Sequence, residues 1–369
     1  MPSNRLYSLA KLWPLFAGAV LSSGLGYGCL HETKPADAAG VATPPASQPP
    51  GKGSMLATET SIPAASERTT PVASHGQLAV KGAQLVDASG KPAVLRGQGF
   101  GWDNWWPQYY NADVVRWLWE DWCVDVVRPA MGIEPDGAYL SNSAASKQRI
   151  EAVVEGAIAA GIYVIVDWHA HNLHEPEAVA FFSELAAKYG DKPNVIYEIF
   201  NEPEKDETWP QLKEYAAAVI GAIRKHDPDN IIIVGNPEWD QRIDLVAGDP
   251  LQGQTNVMYS VHFYADTHRD WLRQRTQAAI DAGIPVFVSE SGGSDASGSG
   301  QNNFVEWQAW QDFMDKNHLS RINWSVSDKT GEACSILEPG GNAKGNWTPA
   351  ELTESGKHMR NLLRSYCGK

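Results

Sequence analysis

Short apolar runs separated by longer amphipathic stretches make up the chain from residue 76 onward. Residues 76–100 predict two or three short strands, with turns at Gly82 and Gly90. Beyond them, strand-like and helix-like segments alternate. The strand-like runs are rich in Val and Ile and apolar throughout, which is typical of a parallel sheet covered on both faces. The predicted strands are 94–100, 124–128, 162–169, 195–202, 231–235, 257–264, 285–290 and 320–325.

A helical pattern follows each of these strands. Eight strand–helix units predict an α/β fold, namely a closed (β/α)₈ TIM barrel with an N-terminal β-hairpin. A doubly wound open sheet is the alternative, but no Gly-x-Gly-x-x-Gly follows the first strand, which weakens a dinucleotide-binding interpretation. The predicted helices are 113–122, 145–160, 175–189, 209–226, a short helix after Trp239, 268–282, 301–317 and 353–366.

The amino-terminal residues have the pattern of an export signal. Arg5 and Lys11 precede an apolar stretch at 12–25, and small residues follow it. This order predicts a signal peptide over residues 1–28. The glycine–cysteine junction before Cys29 resembles a bacterial lipobox, which predicts lipidation of Cys29 and a membrane anchor. The alternative is plain secretion with cleavage nearby.

A compositional change marks the next boundary. Residues 29–75 are rich in Pro, Ala, Ser and Thr and lack periodicity, so they predict a disordered linker. The folded domain is therefore expected at 76–369.

The charge of the chain limits its partners. The net charge is -14, from 30 Lys+Arg against 44 Asp+Glu. An acidic chain without a basic cluster is a poor candidate for binding nucleic acid or an anionic membrane surface, whereas a neutral substrate suits it. The four cysteines match no metal-binding spacing.

Polar residues end most of the apolar runs. Because the active site of a (β/α)₈ barrel lies at the carboxyl-terminal ends of its strands, these residues are expected to form one ring. Each alone has a structural explanation as a satisfied polar group, but their number at six strand ends indicates a functional site. They are Arg128, Asp167, Trp168, His169, His171, Asn201, Glu202, His262, Tyr264, Glu290 and Trp324.

Two glutamates in this ring suit glycoside hydrolysis, in which one carboxyl group is an acid and the other attacks the sugar or activates water. Arg128 beside Glu290 would keep that carboxylate ionised, and Glu202 in apolar surroundings is expected to be the protonated partner. Metal-assisted hydrolysis is the alternative chemistry, using His169, His171, His174 and His262. Neither His-Glu-x-x-His nor a dense carboxylate set accompanies these histidines, which disfavours it.

The ordered motifs resemble glycoside hydrolase family 5, the cellulase family of retaining (β/α)₈ glycosidases, and its bacterial endoglucanases in particular. The motifs are Val127-Arg128, Asp167-Trp168-His169, IYEIFNEP (196–203), VHFYA (261–265), VFVSE (286–290) and INWSVSDK (322–329), within residues 77–366.

The resemblance implies a role for each matching residue. Glu202 would be the acid/base and Glu290 the nucleophile held by Arg128. Asn201 would bind the 2-hydroxyl of the sugar at the cleavage point. His169 and His262 would line that subsite, Tyr264 would lie near the nucleophile, and Trp324 would be the floor under the sugar. Lys329 and Glu332 match positions that contact sugars further toward the non-reducing end.

Tryptophans in two loops are candidate sugar platforms, because aromatic rings stack on pyranose faces. Trp102 follows the first strand and is the favoured sugar platform, with loop packing as the alternative; for Trp105 and Trp106 the two interpretations are evenly matched. Trp239 is the candidate on the leaving-group side. The chain departs from the family at Ser291, where the family usually has Trp, which leaves the local packing open.

Two cysteines are expected at the bottom of the barrel. Cys123 precedes the second strand and Cys367 ends the last helix, so a disulfide between them is geometrically allowed and export would permit it. Cys334 would then be a free thiol near the cleft.

The sequence as a whole predicts an exported, monomeric, retaining endo-β-1,4-glucanase that needs no metal or organic cofactor and acts on a β-glucan. Another family 5 β-glycanase, acting on mixed-linkage glucan or mannan, is the first alternative. A non-catalytic glycan-binding lipoprotein is the second.

Overall fold

The computed structural model describes residues 61–367. The predicted signal peptide, the lipidation site Cys29 and the linker up to residue 60 lie outside the described residues. None of the helices in the described part of the chain is long and apolar enough to cross a bilayer.

A short antiparallel hairpin precedes the barrel. Strands β1 (Ala79–Lys81) and β2 (Gln84–Val86) pair around Gly82, which has a φ of 61° and so adopts a conformation that suits a glycine. Leu78 and Leu85 belong to the same apolar cluster as the inward side chains of the barrel strands. The hairpin therefore covers the amino-terminal end of the barrel.

The parallel strands close on themselves. The last strand pairs with the first through Arg321–Val326 against Arg96–Phe100, and the second position of the barrel is formed by two short strands separated by Pro129. The predicted (β/α)₈ barrel is confirmed. Its strands are β3 (Arg96–Phe100), β4 (Val126–Arg128), β5 (Ala130–Gly132), β6 (Tyr163–His169), β7 (Val195–Glu198), β8 (Ile232–Val234), β9 (Val257–Tyr264), β10 (Val286–Gly292) and β11 (Arg321–Val326).

Helices surround the barrel and bury one face each against it. The helix that follows β3, α2, is capped by Asn111, whose side chain accepts hydrogen bonds from the backbone of Asp113 and Val114. The helices are α1 (Pro71–His75), α2 (Ala112–Trp122), α3 (Tyr139–Ala160), α4 (Glu175–Tyr189), α5 (Trp209–Ile223), α6 (Pro237–Asp240), α7 (Ile243–Gly248), α8 (Asp270–Asp281), α9 (Phe304–Lys316) and α10 (Glu354–Ser365).

Residues 65–75 differ from the sequence prediction of a linker. They form a 3₁₀ turn and α1, and Val72 N donates to Gly161 O at 3.0 Å. Arg68 lies over the Trp119 ring at 4.1 Å and donates to the carbonyl oxygens of Trp119 and Glu120 at 3.0 and 2.8 Å. A Pro- and Ser-rich composition did not indicate these contacts, because one arginine and a few backbone groups make them. The boundary at residue 76 was therefore wrong for this segment.

A disulfide joins Cys123, directly after α2, to Cys367, directly after α10, with Cα atoms 5.6 Å apart. Cys334 lies outside this disulfide and is buried. The disulfide lies at the end of the barrel where the strands begin, together with Arg68, whose Nη1 is 3.3 Å from Cys367 Sγ.

Candidate active site

The strand-end residues come together at the carboxyl-terminal rim of the barrel. Arg128 ends β4, His169 ends β6, and Tyr264 ends β9. Asn201 and Glu202 lie just past β7, because that strand ends at Glu198 and the chain turns at Pro203. His262, Glu290 and Trp324 are each the third residue from the end of their strands, β9, β10 and β11.

Arg128 is the centre of a fully buried charge network. Its Nε donates to Glu198 Oε2 at 2.5 Å, and its Nη1 donates to Glu290 Oε2 at 2.9 Å. Its Nη2 donates to Asn201 Oδ1 at 2.7 Å and lies 3.0 Å from Asp167 Oδ2. Burial alone would lower the pKa of Arg128, but these carboxylates raise it well above its ordinary value. The side chain is thus a permanent cation that fixes four neighbours.

Glu290 has a hydrogen bond donor on each oxygen. Tyr264 OH donates to Glu290 Oε1 at 2.6 Å, while Arg128 binds Oε2. Together the two donors restrict rotation of the carboxylate. Its environment is therefore suited to a nucleophile.

Glu202 has a different partner. His262 Nδ1 lies 3.0 Å from Glu202 Oε1, and His171 Nδ1 lies 4.0 Å from Oε2. Burial raises the pKa of Glu202, but the hydrogen bond and the charge of His262 outweigh burial and lower it to about 2. Glu202 therefore lies beside a histidine and not in wholly apolar surroundings, and this contact favours its ionised form.

His262 is surrounded by further acceptors. Its Nε2 lies 3.0 Å from Ser289 Oγ, 3.7 Å from Glu198 Oε1 and 3.4 Å from Asp240 Oδ2. Burial lowers the pKa of His262, but Asp240, followed by the hydrogen bonds to Glu198 and Glu202, raises it well above its usual range. The imidazole is therefore held as a cation beside Glu202.

His169 links the network to Trp324. Its Nδ1 lies 2.6 Å from Asp167 Oδ2, and its ring stacks parallel to the Trp324 ring with centroids 5.1 Å apart. Burial and the charge of Arg128 lower the pKa of His169 to about 3, so this imidazole is neutral. The peptide bond after Trp324 is cis. His169 thus contacts both the Asp167 carboxylate and the Trp324 ring.

The rings of the aromatic loop after β3 pack closely together. The Trp102 ring is 8% exposed and contacts three rings, those of Trp105 at 4.7 Å, His169 at 4.5 Å and His171 at 5.7 Å. Trp105 and Trp106 are half-buried. Trp102 therefore packs against its neighbours and stays a candidate sugar platform, and Trp105 is the more accessible member of the stacked pair.

Trp239 is half-buried. Its backbone nitrogen donates to the carbonyl oxygen of Pro203, the residue after Glu202, at 2.8 Å. Lys205 Nζ lies 5.1 Å from the centre of its ring. Lys329 and Glu332, which follow β11, form an ion pair at 3.1 Å, and Glu332 is buried. Trp239 and the Lys329–Glu332 pair thus lie in segments that follow two different strands, β8 and β11.

The residues after Glu290 pack without the tryptophan usual in the family. Ser291 Oγ donates to Ile322 O at 2.8 Å. A Cβ at Gly293 would lie 2.1 Å from the Trp307 ring, so this ring from α9 occupies the space beside the backbone. Glycine is required at that position.

The four histidines of the metal alternative are dispersed. His174 lies against Glu134 at 3.3 Å, whereas His169 binds Asp167. Over residues 61–367, the set with metal-ligand spacing consists of Glu202, His262 and Glu290, with ligand atoms within 4.8 Å of one another. Arg128, Tyr264 and the Glu202–His262 contact already engage these atoms, so the donor set suits proton and sugar chemistry better than a cation.

Sequence reasoning missed several functional contacts. It assigned no role to Glu198, Ser289 or Asp240. It noted Asp167 only as a strand-end and motif residue, and His171 only as a strand-end residue and a candidate metal ligand. Glu198 had a signal, since an ionisable residue inside an apolar strand is rarely buried without a partner. Asp240 had none, because its position depends on an irregular turn.

A closed (β/α)₈ barrel with paired carboxylates at its carboxyl-terminal rim defines the class of (β/α)₈ glycoside hydrolases. The chain belongs to the cellulase family, glycosyl hydrolase family 5, whose family model matches residues 86–330. The resemblance inferred from the motifs is thereby confirmed.

Individual relatives agree with the family. The chain is 43% identical to endoglucanase 5 of Pectobacterium carotovorum subsp. carotovorum over 302 residues, which cover 80% of this chain and 59% of that protein. The chain therefore spans less than two thirds of that relative. A solved structure from Cytophaga hutchinsonii is 44% identical with a TM-score of 0.79, over 80% of this chain and 97% of that one. The catalytic domain of Thermobifida fusca endoglucanase Cel5A is 33% identical with a TM-score of 0.76, over 80% and 100% respectively.

Proposed function

We propose that this protein is a retaining endo-β-1,4-glucanase that hydrolyses internal bonds of cellulose or a related β-glucan. The observation that carries the proposal is the separation of the two carboxyl groups. An oxygen of Glu202 and an oxygen of Glu290 lie within 4.8 Å. Retaining enzymes need carboxyl groups about 5–5.5 Å apart, whereas inverting enzymes need about 6.5–9.5 Å to admit a water molecule.

The partners of each carboxyl group assign its role. Glu290, held by Arg128 and Tyr264, attacks the anomeric carbon while Glu202 gives a proton to the departing oxygen. A covalent glycosyl–Glu290 ester results. Glu202 then takes a proton from water, the water attacks the same carbon, and Glu290 is released.

Proton supply depends on the Glu202–His262 pair. In the free protein the shared proton resides on His262 and Glu202 is ionised. A sugar that fills the cleft removes water from Glu202 and so raises its proton affinity. The proton then moves over the 3.0 Å contact to Glu202, ready for the leaving group.

The remaining side chains are assigned to sugar binding. Asn201 Nδ2 is buried and has no hydrogen-bond partner, so it is available to donate to the 2-hydroxyl at the cleavage point. Trp324 and His169 are assigned to the floor of that subsite. Lys329 and Glu332 are assigned to the next glycone sugars and Trp239 to the leaving-group side. We add Trp105, which stacks on Trp102, as a glycone platform.

The relatives support a β-1,4-glucan substrate. Similar proteins from Pectobacterium and Dickeya are named endoglucanases, and the Thermobifida fusca domain was solved with cellotetraose. Mixed-linkage glucan and mannan are the competing substrates, because the same carboxyl pair serves them. An inactive glycan-binding protein is disfavoured, since Glu202, Glu290, Arg128 and Asn201 are all in place.

The same proposal includes export of the monomer. A signal peptide at 1–28 would direct it, Cys29 would be the lipid anchor if processed as a lipoprotein, and a linker would precede the domain. The Cys123–Cys367 disulfide supports an oxidising compartment.

The test is a substrate panel. Purified protein is offered carboxymethylcellulose, mixed-linkage glucan, mannan and xylan, and reducing ends are measured together with viscosity. We expect carboxymethylcellulose to lose viscosity early, as internal cleavage requires. Glu290→Gln is the control and should be inactive on every polymer. Activity confined to mannan would mean that mannan, and not a β-1,4-glucan, is the substrate. Binding without cleavage by the wild-type protein would overturn the enzymatic role.

A further inference from the structure

A left-handed turn after β8 connects the leaving-group side of the cleft to the acid/base glutamate. Glu238, Trp239 and Asp240 have φ values of 59°, 56° and 61°, although none is glycine. Each such residue costs about 1–2 kcal/mol relative to a right-handed conformation. Backbone strain of this kind persists where surrounding contacts enforce it. The contacts here include Trp239 N to Pro203 O at 2.8 Å and Asp240 N to Asn236 O at 3.1 Å.

The turn directs the Asp240 carboxyl group into the interior. The side chain is fully buried, and Oδ1 accepts a hydrogen bond from Asn236 N at 2.6 Å. Oδ2 has no hydrogen-bond partner and lies 3.4 Å from His262 Nε2. A buried carboxyl oxygen without a partner is costly unless it serves a specific contact.

Charged groups face His262 from every strand around it. Glu198 comes from β7, Glu202 from the end of β7, Glu290 from β10 and Asp240 from the turn after β8. Glu198 and Glu290 are both ion-paired to Arg128. Among the described residues, His262 is the cationic partner within ion-pair distance of Asp240. The Asp240 charge is therefore directed at this imidazole.

We propose that Asp240 is a positioning residue of the acid/base step, which holds His262 in place and keeps it charged opposite Glu202. The inference rests on the proposed glycosidase function and extends it to a residue outside the sugar-binding cleft. Asp240 acts through His262 and touches neither substrate nor the reacting atoms.

The consequence concerns the proton that Glu202 needs before it can act as an acid. His262 supplies this proton across the 3.0 Å contact. Asp240 stabilises the charged imidazole on its far side, at Nε2, so the proton remains available over the pH range of catalysis. Burial raises the pKa of Asp240 well above its ordinary value, while the charge of His262 opposes this.

The test compares Asp240→Asn with Glu238→Gln. Glu238 lies in the same left-handed turn but pairs with Arg242 at 2.9 Å, on the outside, so its variant reports on the turn alone. For each protein, kcat/KM is measured from pH 4 to 10 on a cello-oligosaccharide, whose leaving group needs a proton, and on a dinitrophenyl cellobioside, whose leaving group does not. Imidazole ¹⁵N NMR shifts record the charge of His262 without reference to activity.

In Asp240→Asn we expect the alkaline limb of the cello-oligosaccharide profile to move to lower pH by about one unit, the scale of one lost opposite charge. We also expect kcat/KM at pH 7 to fall about tenfold or more on the cello-oligosaccharide and less than about threefold on the aryl glycoside, because only the first needs acid catalysis. The His262 titration should move in the same direction, whereas Glu238→Gln should resemble the wild type.

Equal losses on both substrates with an unchanged alkaline limb would mean that Asp240 only supports the turn, and the proposal would be wrong. An unmoved His262 titration in a folded variant would overturn it as well. If the wild-type protein itself proves inactive, the glycosidase proposal fails, and the NMR titration still decides whether Asp240 controls the charge of His262.

Discussion

Arg128 Nη1 donates to Glu290 Oε2 over 2.9 Å, and both side chains are at least nine-tenths buried. The guanidinium cannot lose its proton, so Glu290 faces a permanent charge in a site of low dielectric. Glu202 faces a histidine instead, whose charge can change. The two glutamates thus differ in their cationic partner, and this difference gives them different roles.

This separation predicts opposite stereochemistry for two azide rescue reactions. In Glu202→Ala the nucleophile survives, so a substrate with a good leaving group should load the enzyme and azide should release a β-glycosyl azide. In Glu290→Ala no covalent step occurs, so azide should enter from the vacated side and give the α-product. Proton NMR of the products identifies each anomer. If the two variants gave the reverse products, Glu290 would be the acid/base and Glu202 the nucleophile. If the wild-type protein first released the α-anomer, its mechanism would be inverting.

Trp324 should contribute to transition-state binding. Trp324→Ala should lower kcat/KM on cello-oligosaccharides. The expected loss of transition-state stabilisation is about 1–3 kcal/mol, the scale of a lost stacking surface with its buried area. Trp271→Ala, on the exposed side of α8, is the matched control and should have no effect on this substrate. An unchanged kcat/KM in Trp324→Ala would place this ring outside the sugar site.

The segment before the hairpin should stabilise the domain. Arg68→Ala removes two hydrogen bonds to the end of α2 and the contact with the Trp119 ring, so it should lower the free energy of unfolding by about 1–3 kcal/mol. Glu67→Ala, exposed in the same turn, should change little. Deletion of residues 1–75 should lower Tm relative to deletion of 1–60. Equal Tm values for the two truncations would contradict a structural role for this segment.

Loss of the disulfide should also be measurable. Cys123→Ser with Cys367→Ser should lower the free energy of unfolding by about 2–4 kcal/mol, because the bond closes a loop with a sequence separation of 244 residues. Calorimetry with and without reductant measures it. Reductant should lower Tm of the wild type and leave the double variant unchanged, and a response of the double variant would implicate other groups.

Glu198 predicts a pH-dependent stability. Burial raises its pKa, but Arg128, followed by His262, outweighs burial and lowers it to about 2, from 4.5 in the unfolded chain. Its contribution to the free energy of unfolding is therefore complete above pH 4.5 and is lost as the pH falls toward 2. Glu198→Gln should destabilise the protein at pH 7, and its difference from wild type in denaturant unfolding should narrow below pH 4.5. A difference that stays constant with pH would exclude this ionisation as the cause.

Much of the fold was predictable because each barrel strand carries its own signal. Continuous Val and Ile runs such as 231–235 identify strands buried on both faces, and their polar ends identify the rim. Boundaries were less certain. The predicted strand 195–202 ends at Glu198, because the residues up to Glu202 leave the sheet to reach the cleft.

The candidate site was predictable only for residues at regular positions. Glu202, Glu290 and Arg128 lie within a few residues of strand ends, so topology alone brings them together. Asp240 and Trp102 lie in irregular segments, where neighbouring rings and backbone dihedral angles decide what a side chain faces. Residues 65–75 escaped for a related reason, since the docking of Arg68 depends on the carbonyl groups of α2 and not on a pattern of its own.

The place where the amino-terminal segment docks has a consequence for how the protein is presented to its surroundings. Arg68 and the Cys123–Cys367 disulfide lie where the strands begin, whereas Glu202 and Glu290 lie where they finish. The described polypeptide thus enters the domain at the end of the barrel opposite the active site. An attachment at that end would leave the active-site face of the barrel exposed.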